Sequence, residues 1–258
     1  MAIPVLTTIL IFFFGACIGS FLNVCIYRIP AGLSIVHPRS SCPHCRTMIV
    51  FYDNLPIFSY LMLRGKCRPC QAPIAMRYPF VELLTGLFAL ACALAFGLTL
   101  HALVVFGFIA TLIVVALIDL DHRIIPDAIS LPGIPLFFLA ALAVPTVTWQ
   151  ASLIGILAGG GSLFAVAWIY QRITGREGMG GGDIKLLAMI GAMTGWQGVL
   201  FTLFAASAVG TAIGILVMIR SGRDMKLAIP FGPFLALGAV IYLFFGQGLI
   251  GWYFGIIP

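Results

Sequence analysis

Charge is so sparse in this chain that the gaps between charged residues decide what it can fold into. Residues 1–27, 83–118, 128–171, 186–219 and 227–258 contain no Asp, Glu, Lys or Arg. A helix needs about 20 apolar residues to cross the hydrocarbon of a bilayer. The first run therefore holds one span, each of the next three holds two, and the last holds one with a short tail, which makes about eight. With 62% hydrophobic and 9% charged residues, the chain lacks the polar surface of a water-soluble domain. The first run has no basic leader and no small-residue cleavage pattern, so it reads as a retained helix.

The charges that exist give an orientation. All fourteen Lys and Arg lie in 28–77, at Arg123, in 172–185 and in 220–226, the connections that follow spans one, three, five and seven. The opposite connections, around 97–101, 146–150, 195–198 and 246–251, carry no charge. By the positive-inside rule the charged connections are cytoplasmic and both termini lie on the far side. The net charge of +6 belongs to the membrane surface, where anionic headgroups attract basic residues. The lipid bilayer is thus the expected partner and nucleic acid is not.

Residues 28–78 form the one sizeable soluble segment. Cys42-Pro43-His44-Cys45 and Cys67-Arg68-Pro69-Cys70 lie 21 residues apart, each followed by isoleucine at the same offset, Ile49 and Ile74. Tetrathiolate zinc sites use C-x2-C pairs at about this separation. Two disulfides are the alternative, but the cytoplasmic side is reducing. Structural Zn2+ on Cys42, Cys45, Cys67 and Cys70 is therefore expected, with Arg46, Arg64, Lys66 and Arg68 offsetting the charge of four thiolates. The fold class is accordingly all-α polytopic membrane protein, with about eight transmembrane helices and a small cytoplasmic zinc-binding insertion between the first two. Cys17, Cys25 and Cys92 read as small buried apolar residues within spans.

Two further features carry chemistry. Gly178-Met179-Gly180-Gly181-Gly182-Asp183-Ile184-Lys185 delivers a carboxylate to the start of span six through a stretch with little side chain. It reads either as a flexible entry whose Asp complements the helix dipole, or as a site where another backbone comes close to an ionisable group. At the end of span three, Asp121 reads as a solvated loop charge and Asp127, after Pro126, as the N-cap of span four. Asp119 continues an unbroken apolar helix; it is either a functional intramembrane carboxylate or half of an i+4 ion pair with Arg123. Asp119 and Asp183 reach the same face at the same depth. Packed together, one carboxylate can act as base on a water while the other, protonated, polarises a carbonyl. Glu82, after Arg77-Tyr78-Pro79-Phe80-Val81, either caps span two or serves a function. A cation- or proton-coupled transporter using the same aspartates is the rival reading; such sites typically sit nearer the midplane.

The ordered set Gly19-Ser20-Phe21-Leu22-Asn23-Val24, Pro38-Arg39-Ser40, the two cysteine knuckles, Tyr52-Asp53-Asn54-Leu55-Pro56, Arg77 to Glu82, Asp119 seven residues before Pro126, Gly180-Gly181-Gly182-Asp183 with Lys185, and Pro230-Phe231-Gly232-Pro233-Phe234 resembles the type IV prepilin peptidases, GxGD aspartic proteases that are also N-methyltransferases. The resemblance implies cleavage of the leader of prepilins or type II secretion pseudopilins after a glycine at the cytoplasmic face of the bacterial inner membrane. Methylation of the new N-terminus with S-adenosyl-L-methionine would follow. It implies Asp119 and Asp183 as the catalytic pair, with Gly180, Gly181, Gly182 and Lys185 where the substrate backbone approaches. The implied organisation is a first helix over 1–27, a zinc-knuckle and methyltransferase segment over 28–82 with Glu82 a candidate cofactor contact, and a peptidase core over 83–258.

Overall fold

The computed structural model describes residues 4–145, 147–176, 180–221 and 230–253. Gly178 and Met179 of the glycine cluster, and most of the basic connection after span seven, lie outside the described residues. The helices are α1 (Val5–Arg28), α2 (Phe58–Met62), α3 (Arg77–Phe96), α4 (Leu100–His122), α5 (Asp127–Ala141), α6 (Trp149–Thr174), α7 (Gly181–Ser221) and α8 (Gly232–Tyr253), with a single 3-10 turn at Phe51–Asn54. Five of them, α1, α3, α4, α6 and α7, are long and apolar enough to cross a membrane, and α5 and Gly232–Gly246 are shorter apolar helices.

At about 1.5 Å per residue, a straight helix the length of α7 would be about twice as long as the hydrocarbon is thick. It breaks at Gly195, where φ is 72° and ψ is −179°, a conformation glycine adopts without a Cβ clash. The chain then folds back: Val199 Cγ2 lies 2.9 Å from where a Cβ on Gly191 would sit, whereas eight residues along a straight helix would separate them by about 12 Å. With α7 counted as two, the apolar helices make the eight spans expected from the charge pattern. At the other doubtful place the expectation fails, because α8 runs unbroken through 246–251 to Tyr253 and no connection lies there.

The chain forms two compact units, Met1–Ala110 and Thr111–Pro258. In the first, α1 packs on α3 through small residues. A Cβ on Gly15 would meet Gly86 Cα at 2.9 Å, and one on Gly19 would meet Glu82 Cα at 2.7 Å. Gly15 and Gly19 are a G-x-x-x-G pair, the spacing that lets membrane helices approach closely. Buried Asn23 adds a cross-link, donating from Nδ2 to Tyr78 O at 3.1 Å. Cys25 and Cys92 are buried as expected, but Cys17 faces outward.

The second unit is built around the first half of α7. Residues 186–195 are all buried, with Leu186, Leu187, Met189, Ile190 and Met193 at 0% exposure. A helix apolar on every side is stable where neighbours enclose it, and α5, α6 and α8 all pack against α7. Ser152 on α6 donates its hydroxyl to Ala192 O.

Candidate active site and metal centre

Asp119 is the fourth residue from the C-terminus of α4 and is 5% exposed. The two residues that follow it in the helix, Leu120 and Asp121, are exposed, so the helix turns this one carboxylate inward. Asp119 Oδ2 accepts the backbone N–H of Gly232 at 3.0 Å, which brings the N-terminus of α8 onto it. Asp183 is the third residue of α7. Its Oδ1 is buried with no hydrogen-bond partner, and the two carboxyls lie within electrostatic reach of each other.

Ile125, in the short connection from α4 to α5, closes the arrangement. A Cβ on Gly182 would meet Ile125 Cβ at 2.8 Å. One on Gly232 would meet Ile125 Cδ1 at 3.3 Å and Asp119 Oδ2 at 2.6 Å. The starts of α7 and α8 and the end of α4 thus converge on one point. Of the glycines before Asp183, Gly182 is packed against Ile125, while a Cβ on Gly181 would face open space. Gly232 has no room for a side chain. Gly232→Ala should displace the Asp119 carboxyl and, on the activity that the sequence resemblance implies, lower turnover by about 10²-fold, since misplacement by about 1 Å costs that much. Turnover by the purified variant in membranes is the check, and wild-type rates would show that the contact is dispensable.

Two sequence expectations need correction here. Asp127 is not an N-cap: Pro126 occupies that position with no side-chain cap bond. Asp127 instead receives Lys185 Nζ at 2.7 and 2.8 Å, tying the start of α5 to the first turn of α7. Lys185, expected near the substrate backbone, is thus held by Asp127. Glu82 does not complement a helix N-terminus either, because α3 begins at Arg77 and its first turn has no acidic residue. Glu82 is buried, and its Oε2 accepts Ile57 N–H at 2.7 Å. That partner, a backbone group 25 residues away, has no signature in the sequence.

In the soluble segment the Sγ atoms of Cys42, Cys45, Cys67 and Cys70 all lie within 4.8 Å of one another. Cys42 to Cys70 is 3.8 Å and Cys45 to Cys67 is 4.0 Å. Four sulfurs at about 2.3 Å from a tetrahedral zinc would sit about 3.8 Å apart, so the donor set fits that ion. The two knuckles repeat each other at an offset of 25 residues: Cys42 N–H donates to Thr47 O and Cys67 N–H to Ala72 O, Arg46 N–H to Cys42 O and Gln71 N–H to Cys67 O. Arg46 and Gln71 share a φ of 58°, and the bridges Ser41 to Met48 and Lys66 to Pro73 match as well.

Thr47, through its hydroxyl and its backbone N–H, holds the Cys45 thiol down at about 6. At Cys67 the backbone of Cys70 lowers the thiol, but desolvation and the surrounding sulfurs outweigh it and push it up to about 12. Sulfurs this crowded cannot all ionise without a cation among them. Arg68, expected to offset thiolate charge, is committed to Asp53 through two hydrogen bonds of 2.9 and 2.6 Å.

Comparison with known proteins identifies the family. The model of the bacterial peptidase A24 N-terminal domain matches residues 13–96, and that of the type IV leader peptidase family matches residues 106–215. The chain belongs to the type IV leader peptidase family. A prepilin leader peptidase/N-methyltransferase of Aeromonas hydrophila is 38% identical over 97% of this chain and 95% of its own length. Relatives of the same name in Pseudomonas aeruginosa, 37% identical over 94% of this chain and 91% of theirs, and Burkholderia pseudomallei, 35% over 90% and 83%, are similar throughout. No solved structure matches the chain. Family membership places the chain in the membrane as a multi-pass protein, consistent with its apolar helices, and offers no support to the transporter reading.

Proposed function

We propose that this chain is a membrane aspartic endopeptidase that removes the leader of type IV prepilins or type II secretion pseudopilins after a glycine and N-methylates the residue thereby exposed. The observation that carries this reading is the convergence of Asp119 and Asp183. One carboxylate is gripped by Gly232 N–H. The other has a buried oxygen free to accept a bond. In the proposed cycle the pair shares one proton, as close carboxylates do.

A water held on Asp183 Oδ1 gives its proton to the ionised carboxylate as its oxygen bonds to the scissile carbonyl carbon. The protonated partner meanwhile donates to the carbonyl oxygen. Collapse of the tetrahedral gem-diol breaks the C–N bond: the leaving amine takes up the proton that one carboxylate gained from the water, while a hydroxyl of the diol returns its proton to the other carboxylate, which leaves the dyad singly protonated again. Gly181, with open space beside it, leaves room for an extended substrate backbone. The segment 28–82 is assigned to methyl transfer and 83–258 to cleavage, with both sites on the cytoplasmic face of the inner membrane and both termini periplasmic by the distribution of basic residues.

Zn2+ on Cys42, Cys45, Cys67 and Cys70 would hold the two knuckles together as a structural ion. S-Adenosyl-L-methionine is the methyl donor that the activity implies, and it would supply the methyl group to the new amine. Glu82 does not suit it as a direct contact, since its carboxylate is bonded to Ile57 and Ser20, so no residue is assigned to hold that cofactor. Incubation with a prepilin peptide and labelled S-adenosylmethionine tests the reading. The expected result is two products in sequence, a shortened peptide and then its methylated form; an intact peptide would overturn it.

A further inference from the structure

Glu82 and the segment 51–59 form a strap between the cysteine cluster and α3. Ile57 has φ 63° and ψ −48°, and Phe58 N–H reaches back to Pro56 O, which makes Ile57 the centre of a γ-turn of the rare, strained kind. A β-branched residue in that conformation is an outlier that persists only where its surroundings enforce it. The turn points Ile57 N–H at Glu82 Oε2, 2.7 Å away. Ser59, 7% exposed, holds the rest of the loop by donating to Tyr52 O at 2.9 Å and accepting from Leu55 N–H at 3.0 Å.

The far end of the strap is fixed as well. Asp53 takes the two-pronged bond from Arg68, which lies between Cys67 and Cys70. Arg68 also lies over the Tyr52 ring, 5.6 Å from its centroid. The path runs without a gap from the second cysteine knuckle through Arg68, Asp53, Ser59 and Ile57 to Glu82. There α1 and α3 are in backbone contact, at Gly19 and Glu82. Glu82 is buried and accepts the bond from the Ile57 backbone. Strain at Ile57 is thereby offset at the junction of α1 and α3 within the first unit.

We propose that the 51–59 strap, latched by Glu82 to the N–H of Ile57, is a positioning element that couples the cysteine cluster to α3 and is needed for methyl transfer but not for cleavage. This rests on the reading that 28–82 carries methyl transfer, and the experiment separates the two. Full-length protein in proteoliposomes, with a prepilin peptide and labelled S-adenosylmethionine, is followed for cleavage, methylation, bound zinc and hydrogen exchange over 51–59.

Ile57→Pro removes the N–H and forces φ negative; Glu82→Ala removes the acceptor. Both should lower kcat for methylation by roughly 10- to 100-fold with KM for S-adenosylmethionine unchanged, and both should speed exchange over 51–59, while cleavage and zinc content stay at wild-type level. Glu82→Gln, which keeps a carbonyl acceptor, and Ile57→Gly, which keeps the N–H and relaxes the turn, should methylate within about threefold of wild type.

Methylation at the wild-type rate in Ile57→Pro and Glu82→Ala would overturn the strap. So would loss of zinc and cleavage together with methylation, which would mark a merely structural role, or a raised KM with unchanged kcat, which would mark a cofactor contact. A Cys42→Ser/Cys67→Ser variant is the control for the underlying reading: if it methylates normally, that reading fails whatever the strap variants do.

Discussion

Asp119→Asn and Asp183→Asn should each lower cleavage of a prepilin peptide by about 10²–10⁴-fold or more, the contribution of general acid–base groups, which is roughly 3–5 kcal/mol of transition-state stabilisation. Neither change should unfold the protein. Asn at 119 keeps a side-chain oxygen for the Gly232 N–H, and Asn at 183 removes a buried ionisable group whose Oδ1 has no partner, which relieves a desolvation cost. Asp121→Asn, at an exposed position two residues from Asp119, should cleave at the wild-type rate. The measurement is initial rate of leader release in proteoliposomes, with melting of each variant as the folding check. Wild-type cleavage by either dyad variant would remove the aspartic mechanism, and an inactive Asp121→Asn would move the site to the solvated end of α4.

The contrast between Asp119 and Asp121 shows how far the sequence reaches. The unbroken apolar run into Asp119, against the polar neighbours of Asp121, is enough to choose the inward-facing carboxylate, because burial follows from the pattern of neighbours. The spans were legible for a similar reason: a charge in the hydrocarbon is costly, so the charged residues mark the connections. The 25-residue repeat of the knuckles was legible in the cysteine spacing and its following isoleucines. The G-x-x-x-G pair in α1 is likewise a packing signal written in the sequence.

What the sequence did not carry were bonds whose partner is a backbone atom or a distant ion. Nothing in Pro230 to Phe234 announces that Gly232 N–H meets Asp119. Nothing in Leu55-Pro56-Ile57 announces a positive φ at isoleucine, since a β-branched residue is a poor candidate for it. Lys185, placed beside the substrate backbone by the resemblance, and Asp127, a cap by its local context, pair with each other across 58 residues. Such pairings depend on how helices pack, which local propensity does not encode.

The second large effect concerns the metal. Removing zinc with a strong chelator, or changing one cysteine in each knuckle, should unfold the 40–74 region and lower methylation by at least about 10²-fold, with cleavage retained. The segment has few buried apolar residues of its own: Cys42 is buried there, but Met48, Phe51, Tyr52, Phe58, Leu61 and Met62 are exposed. A structural zinc contributes about 10–16 kcal/mol of binding free energy in small modules, far more than this segment's apolar burial could replace. The Arg68 to Asp53 pair cannot substitute for it, because exposed ion pairs contribute about 0–1 kcal/mol and the Arg68 side chain is 55% exposed. Metal analysis should return one zinc per chain in the wild type and none in the double-cysteine variant, and limited proteolysis should cut the latter within the knuckles. Full methylation by zinc-free protein would dismiss the ion as a structural element, while parallel loss of cleavage would mean that the knuckles support the aspartate site as well, and the division of labour between 28–82 and 83–258 would have to be abandoned.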